Sequence, residues 1–209
     1  MTSQFHSTRS KILMIIVISS VLISIVVFQQ KFNDIPISHM TRDITAIAEV
    51  PFYTGFLSQL GIFFWVATAT LCFFSSKFSS NNIAQTKLKK FLFYAGLLTV
   101  LLCIDDIFLL HETVFPKYFG VPQKLVILIY GFLFISLLVK FYTVILKTNF
   151  ILLGMALFFF GLSVFFDLFP IPGVNPYLLD DGAKIIGIIS WFFYFYSNAV
   201  SLAKTPKKA

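Results

Sequence analysis

Six stretches of this chain, near 12–28, 51–76, 91–113, 123–146, 150–169 and 176–203, are each apolar over close to the length a bilayer demands, about 20 residues per helix. Inside hydrocarbon every backbone N–H and C=O must bond within its own segment, which favours helices for runs of this kind. The fold class expected is therefore all-α: a polytopic integral membrane bundle of six transmembrane helices forming one transmembrane domain over 1–209. Composition closes the alternatives. Hydrophobic residues make up 58% of the chain and charged residues 12%, against about 25% charged in soluble domains. A soluble domain of about 150 residues buries only ~70% of its unfolded surface, too little to hide this load. Disorder is excluded by the same excess of apolar side chains.

The first stretch follows Arg9 and Lys11 in the basic-then-apolar order of a signal peptide. The residues after it, Val26 to Lys31, offer no small-x-small cleavage motif, so an uncleaved anchor is expected. Between the first two spans, residues 41–50 put Ile44, Ile47 and Ala48 opposite Arg42, Asp43 and Glu49. This is the pattern of a short interfacial helix, or of an amphipathic lead-in to the second span. Residues 75–85 are rich in Ser and Asn and read as a loop. Asn175 and Pro176 cap and open the last helix. Cys72 and Cys103 lie at different depths, so no disulfide is expected between them.

The net charge of +7 is first a topology signal. With the N-terminus inside, Arg9, Lys11, Lys77, Lys87, Lys89, Lys90, Lys140, Lys147, Lys204, Lys207 and Lys208 are cytoplasmic. Lys31, Arg42, Lys117, Lys124 and Lys184 are left outside. The asymmetry predicts both termini in the cytoplasm, in a plasma membrane. The Lys87–Lys90 cluster is expected to touch anionic lipid; no nucleic-acid module is present.

All nine acids fall on the outer side of that arrangement. Three are in the first outer loop. The other six, Asp105, Asp106, Glu112, Asp167, Asp180 and Asp181, sit toward the outer ends of helices three, five and six, together with His111 and Lys184. A carboxylate within hydrocarbon costs several kcal/mol unless paired, hydrated or protonated. If helix three runs straight to 113, Asp105 and Glu112 share a face. On helix six, Asp180, Lys184, Gly187, Trp191, Tyr194 and Asn198 form one stripe, with Asp180 and Lys184 an i,i+4 pair. A second stripe runs along helix two: Thr54, Ser58, Gly61, Trp65, Thr68 and Cys72.

One shared outer cavity is thus expected. Carboxylates with one imidazole suit a divalent metal such as Zn, Mn, Fe or Mg. The expected ligands are Asp105, Asp106, His111 and Asp167. Glu112 or Asp180 would serve as general base and Lys184 as anion stabiliser, while Asp181, Trp191, Tyr194 and Ser163 would line the cavity. The favoured reading is a metal-dependent enzyme, a hydrolase, acting on a lipid or small amphiphile. The second is a proton- or cation-coupled transporter, which with six helices would call for a homo-oligomer. The third is a non-enzymatic scaffold or assembly protein. HExxH, paired cysteines, a phosphate-binding loop and a nucleophile elbow are all missing from the sequence.

Overall fold

The computed structural model describes residues 2–78, 82–169, 171–173 and 175–204. Among them every regular element is helical, and six helices are long and apolar enough to span a membrane. The chain divides into two compact units, Met1–Thr54 and Gly55–Ala209.

In the first unit α1 runs over Thr2–Asn33, well beyond the apolar run. No Pro or Gly interrupts 2–33, so nothing in the polar flanks stops the helix. Within the amphipathic stretch 41–50 the helix is one turn long, α3 (Ile44–Ala48), and a second one-turn helix, α2 (Ile37–Thr41), precedes it. Arg42 is extended between them, and Glu49 ends the second in the left-handed region at φ 52°.

The second unit carries the other spans. It opens at Gly55, whose φ of 71° suits glycine, and α4 (Phe56–Ser76) begins five residues later than the apolar edge. Helix α5 (Ile83–Phe108) begins eight residues before the apolar run expected over 91–113, because the Asn82 side chain accepts from the N–H of Gln85 (2.9 Å) and caps it. The expected loop at 75–85 thus shrinks, and 79–81 lie outside the described residues, as do Lys207 and Lys208. After α5 come a π-helical turn (Leu110–Val114) and the one-turn α6 (Phe115–Phe119). Then follow α7 (Gln123–Ile145), α8 (Phe150–Leu168) and α9 (Pro176–Ala203), close to the lengths read from hydropathy. Asn175 caps α9 as its sequence predicts, accepting from the N–H of Tyr177 and Leu178.

Helix α4 packs between α5 and α9, α8 lies along α9, and α7 leans on α5. Most of the two stripes read from sequence faces this interior: Gly61, Trp65, Thr68 and Cys72 from α4 and Trp191, Tyr194 and Asn198 from α9 are buried, whereas Thr54 precedes α4 and Ser58 is exposed. Gly187 lets α9 approach α8 so closely that a Cβ there would sit 2.6 Å from the Phe160 ring. Several polar groups in this core pair with one another, while the buried hydroxyl of Ser75 has no hydrogen-bond partner among the described residues. Trp191 Nε1 donates to Thr99 Oγ1 (3.0 Å), which donates to the carbonyl of Ala95 (2.8 Å). The Tyr194 and Thr148 hydroxyls lie 2.9 Å apart, and Asn198 donates to the carbonyl of Tyr194. Both cysteines are free and buried.

Candidate functional site

The site begins where α5 stops. Leu109 adopts φ 51°, in a left-handed region costly for a side chain of its kind, and the chain continues as a π-turn rather than as α-helix. The straight helix to 113 is therefore corrected, and with it the argument that Asp105 and Glu112 share a helical face. The cause is visible one turn back. Asp105, 3% exposed, turns its carboxylate toward the helix end; Oδ1 accepts the backbone N–H of His111 (2.9 Å) and Oδ2 meets the ring Nδ1. The hydroxyl of Tyr130 on α7 supplies a third donor at 2.8 Å. A carboxylate with three donors is well satisfied despite its burial.

His111 is held by this contact. Burial alone would lower its pKa, and Lys184 pulls the same way. The hydrogen bond and charge of Asp105, with the charge of Glu112, outweigh both and hold the imidazole above the ordinary histidine range. With Nδ1 engaged by Asp105, Nε2 is left 3.4 Å from a carboxylate oxygen of the half-exposed Glu112.

Asp106 is rotated by about 100° from Asp105 on the same helix and faces other partners. It accepts from Trp65 Nε1 (2.7 Å) on α4 and pairs with Lys184 Nζ (2.6 Å) on α9. The expected Asp180–Lys184 pair is thus not the one formed: Lys184 turns to Asp106, and Asp180 accepts from the Ser163 hydroxyl on α8. Asp167 accepts from Gln123 Nε2 on α7 (3.0 Å).

These groups border one cavity of about 490 Å³. Asp105, Asp106, His111, Glu112, Asp167, Asp180, Lys184 and Ser163 all line it, as sequence reasoning had them converge. Its remaining wall is apolar, built by Leu102, Ile127, Phe134, Leu138, Leu157 and Phe160. Trp65, stacked on Phe160 with ring centroids 5.6 Å apart, joins the two halves.

Three expected lining residues are elsewhere. Asp181 borders a small cleft on the α4 side, beside Ser58 and Gly61. Trp191 and Tyr194 are fully buried in the core. The α9 stripe continues past the cavity, but Phe134 and Phe160 rings pack on Trp191 at 5.6 and 6.1 Å and close the space there.

Of the four expected metal ligands, Asp105 and His111 contact each other, while Asp106 turns to Lys184 and Asp167 to Gln123. Each has a partner of its own, and among the described residues no group of three or more His, Cys, Asp or Glu side chains is arranged to hold a metal. Sequence reasoning also left Tyr130 and Gln123 out of the site. The available signal was depth: Tyr130 is seven residues into α7, about 10 Å from its start, an isolated polar tip on a largely apolar helix.

No curated protein and no solved structure matches this chain. The family model described as a domain of unknown function (DUF8692) matches residues 12–198, which include every residue of the site, and the chain belongs to that family.

Proposed function

We propose that this protein is an integral membrane enzyme, with both termini cytoplasmic, that performs acid–base chemistry on the polar head of an amphiphile held in the 490 Å³ cavity. The observation that carries the reading is the Asp105–His111 pair. A buried carboxylate fixes one imidazole nitrogen and leaves the other beside Glu112, at the junction of an ionic wall and an apolar one. This is the arrangement of an oriented proton-transfer group. In a hydrolysis, neutral Nε2 would take a proton from the attacking water and return it to the leaving oxygen, with Glu112 linking the imidazole to solvent. Lys184, kept close by Asp106, would face the developing negative charge.

Transport is the second reading; beneath the cavity the Phe134 and Phe160 rings pack on Trp191 with centroids 5.6 and 6.1 Å away. A divalent ion is not needed to balance the innermost acids, since Asp105 meets His111 and Asp106 meets Lys184. The acid–base reading therefore rests on the side chains alone. Metal analysis of purified protein beside Asp167→Asn tests the ion separately.

The test of the activity uses protein in vesicles, offered long-chain esters, amides and phosphodiesters, with products followed by mass spectrometry. Turnover should fall by at least tenfold in His111→Gln and in Asp105→Asn, the usual scale for a removed proton-transfer group being about 10²–10⁴. Unchanged turnover in His111→Gln would refute the reading. The topology is tested by a cysteine introduced at Lys77, whose labelling from outside intact cells would reverse the orientation.

A further inference from the structure

We propose that the cavity is reached sideways from the bilayer, through a window between α7 and α8, and that its occupant is a membrane lipid whose acyl chain lies in that window. This rests on the reading of the cavity as an amphiphile site and names the class and route of the amphiphile.

The two helices are neighbours in sequence, yet they do not pack along their length among the described residues; α7 leans on α5 and α8 on α9. Apart from one mid-length contact, where the Phe134 ring of α7 meets the Phe160 ring of α8 with centroids 6.1 Å apart, they are tied near their ends. At one end the chain crosses directly from Ile145 to Phe150, with Thr148 held by Tyr194 and by the carbonyl of Ile145. At the other, Gln123 reaches Asp167 across the gap. Between these ties the cavity wall comes from Gly131 and Ile135 on α7 and from Leu157 and Gly161 on α8. Two of these wall residues are open to the outside: Ile135 is 61% exposed, and Gly161 is exposed as well. A Cβ built at Gly131 or Gly161 would meet nothing within 4 Å. At these two glycines no side chain fills the wall.

Depth identifies what lies outside. Gly131 is eight residues from the start of α7 and Gly161 seven from the end of α8. At 1.5 Å per residue both are about 10–12 Å from the helix ends, within a hydrocarbon core whose half-thickness is ~15 Å. The rim is apolar, so water gains nothing by filling it, and hydrocarbon is the medium at that level. A chain entering there leads straight to the polar wall of His111, Glu112 and Lys184, where a headgroup would sit. A small-molecule substrate arriving from water would need no such opening.

The two tryptophans make the idea measurable. Trp65 lines the cavity but is 2% exposed, so lipid around the outside of the bundle does not touch it. Trp191→Phe leaves Trp65 as the only indole. In vesicles of phosphatidylcholine brominated on its acyl chains, emission of this variant should fall by at least half relative to unbrominated vesicles. Adding Gly131→Phe or Gly161→Phe, which plugs open space, should restore it. If Trp191→Phe does not fold, the difference between wild type and Trp65→Phe reads the same signal. Absence of bromine quenching, or quenching that both plugs leave intact, overturns the proposal. So does quenching of Trp65 by aqueous iodide but not by brominated chains, which would place the opening on the water side. Plug-sensitive quenching with turnover unaffected by His111→Gln would support the lipid window and refute the enzymatic reading.

Discussion

Replacing Asp105 with Asn keeps the shape of the side chain and removes the charge that holds His111. In the folded protein three influences act on the imidazole besides Asp105: burial and Lys184 favour the neutral ring, and Glu112 favours the charged one. Glu112 is half-exposed and 3.4 Å away, so its pull is screened. Asp105 is 5% exposed at its side chain and His111 17%, so theirs is much less so. An opposite charge in such contact moves a titration by about one to three pH units, or about 1.4–4 kcal/mol. The variant should therefore titrate lower than wild type, because the charge that favours the imidazolium is gone. Stability carries the same signature. A raised folded pKa means that protonation of His111 adds its stability in full below about pH 6.5, as long as Asp105 stays ionised, and that this contribution fades as pH rises through the higher folded value. Asp105→Asn should lose this pH-dependent share of its stability and be destabilised most, relative to wild type, on the acid side. The assay is a carbon-13 histidine titration by NMR in detergent micelles. With three histidines, His6, His39 and His111, a His111→Gln sample assigns the resonance. A resonance titrating alike in wild type and Asp105→Asn would refute the argument, because the coupling would then be absent.

Two further substitutions probe the frame around the pair. Gly187→Ala puts a Cβ 2.6–2.7 Å from the Phe160 ring and 3.3 Å from the carbonyl of Ala156, and should cost about 1–3 kcal/mol by overpacking; Gly154→Ala, in open space on α8, should be neutral or gain slightly from helix propensity. Equal thermal unfolding of the two would remove the close α8–α9 approach from the account. Lys184→Met strands the Asp106 carboxylate, whose side chain is 10% exposed, and should cost about 3 kcal/mol. Adding Asp106→Asn should recover part of that loss in a denaturation cycle, and strictly additive effects would mean the two are not coupled.

The spans were legible because hydropathy over about 20 residues reports directly on the medium a helix can occupy, and α7, α8 and α9 came out nearly as read. The inward stripes of α4 and α9 were legible for a related reason: small and polar residues at helical spacing have no favourable place facing lipid. The end of α5 was not. Residues 107–110 read Ile-Phe-Leu-Leu, with no Gly, Pro or Asn to mark a break, and by propensity the helix should continue. What stops it is a competition that linear reading omits. Within a helix the N–H of His111 would bond a carbonyl four residues back, but here the buried Asp105 carboxylate takes that N–H and the ring nitrogen together, a charge-assisted pairing stronger than a neutral backbone bond. Tertiary burial of Asp105 under Tyr130 makes the exchange favourable, and it forces Leu109 left-handed. The same competition settles the charge pairs. Spacing alone assigned Lys184 to Asp180 on its own helix, whereas Lys184 pairs with Asp106 on α5 and Asp180 accepts from Ser163 on α8. In a low-dielectric site the acids are sorted by which donors surround them in space, so their gathering at one cavity could be read from the chain while partnership could not.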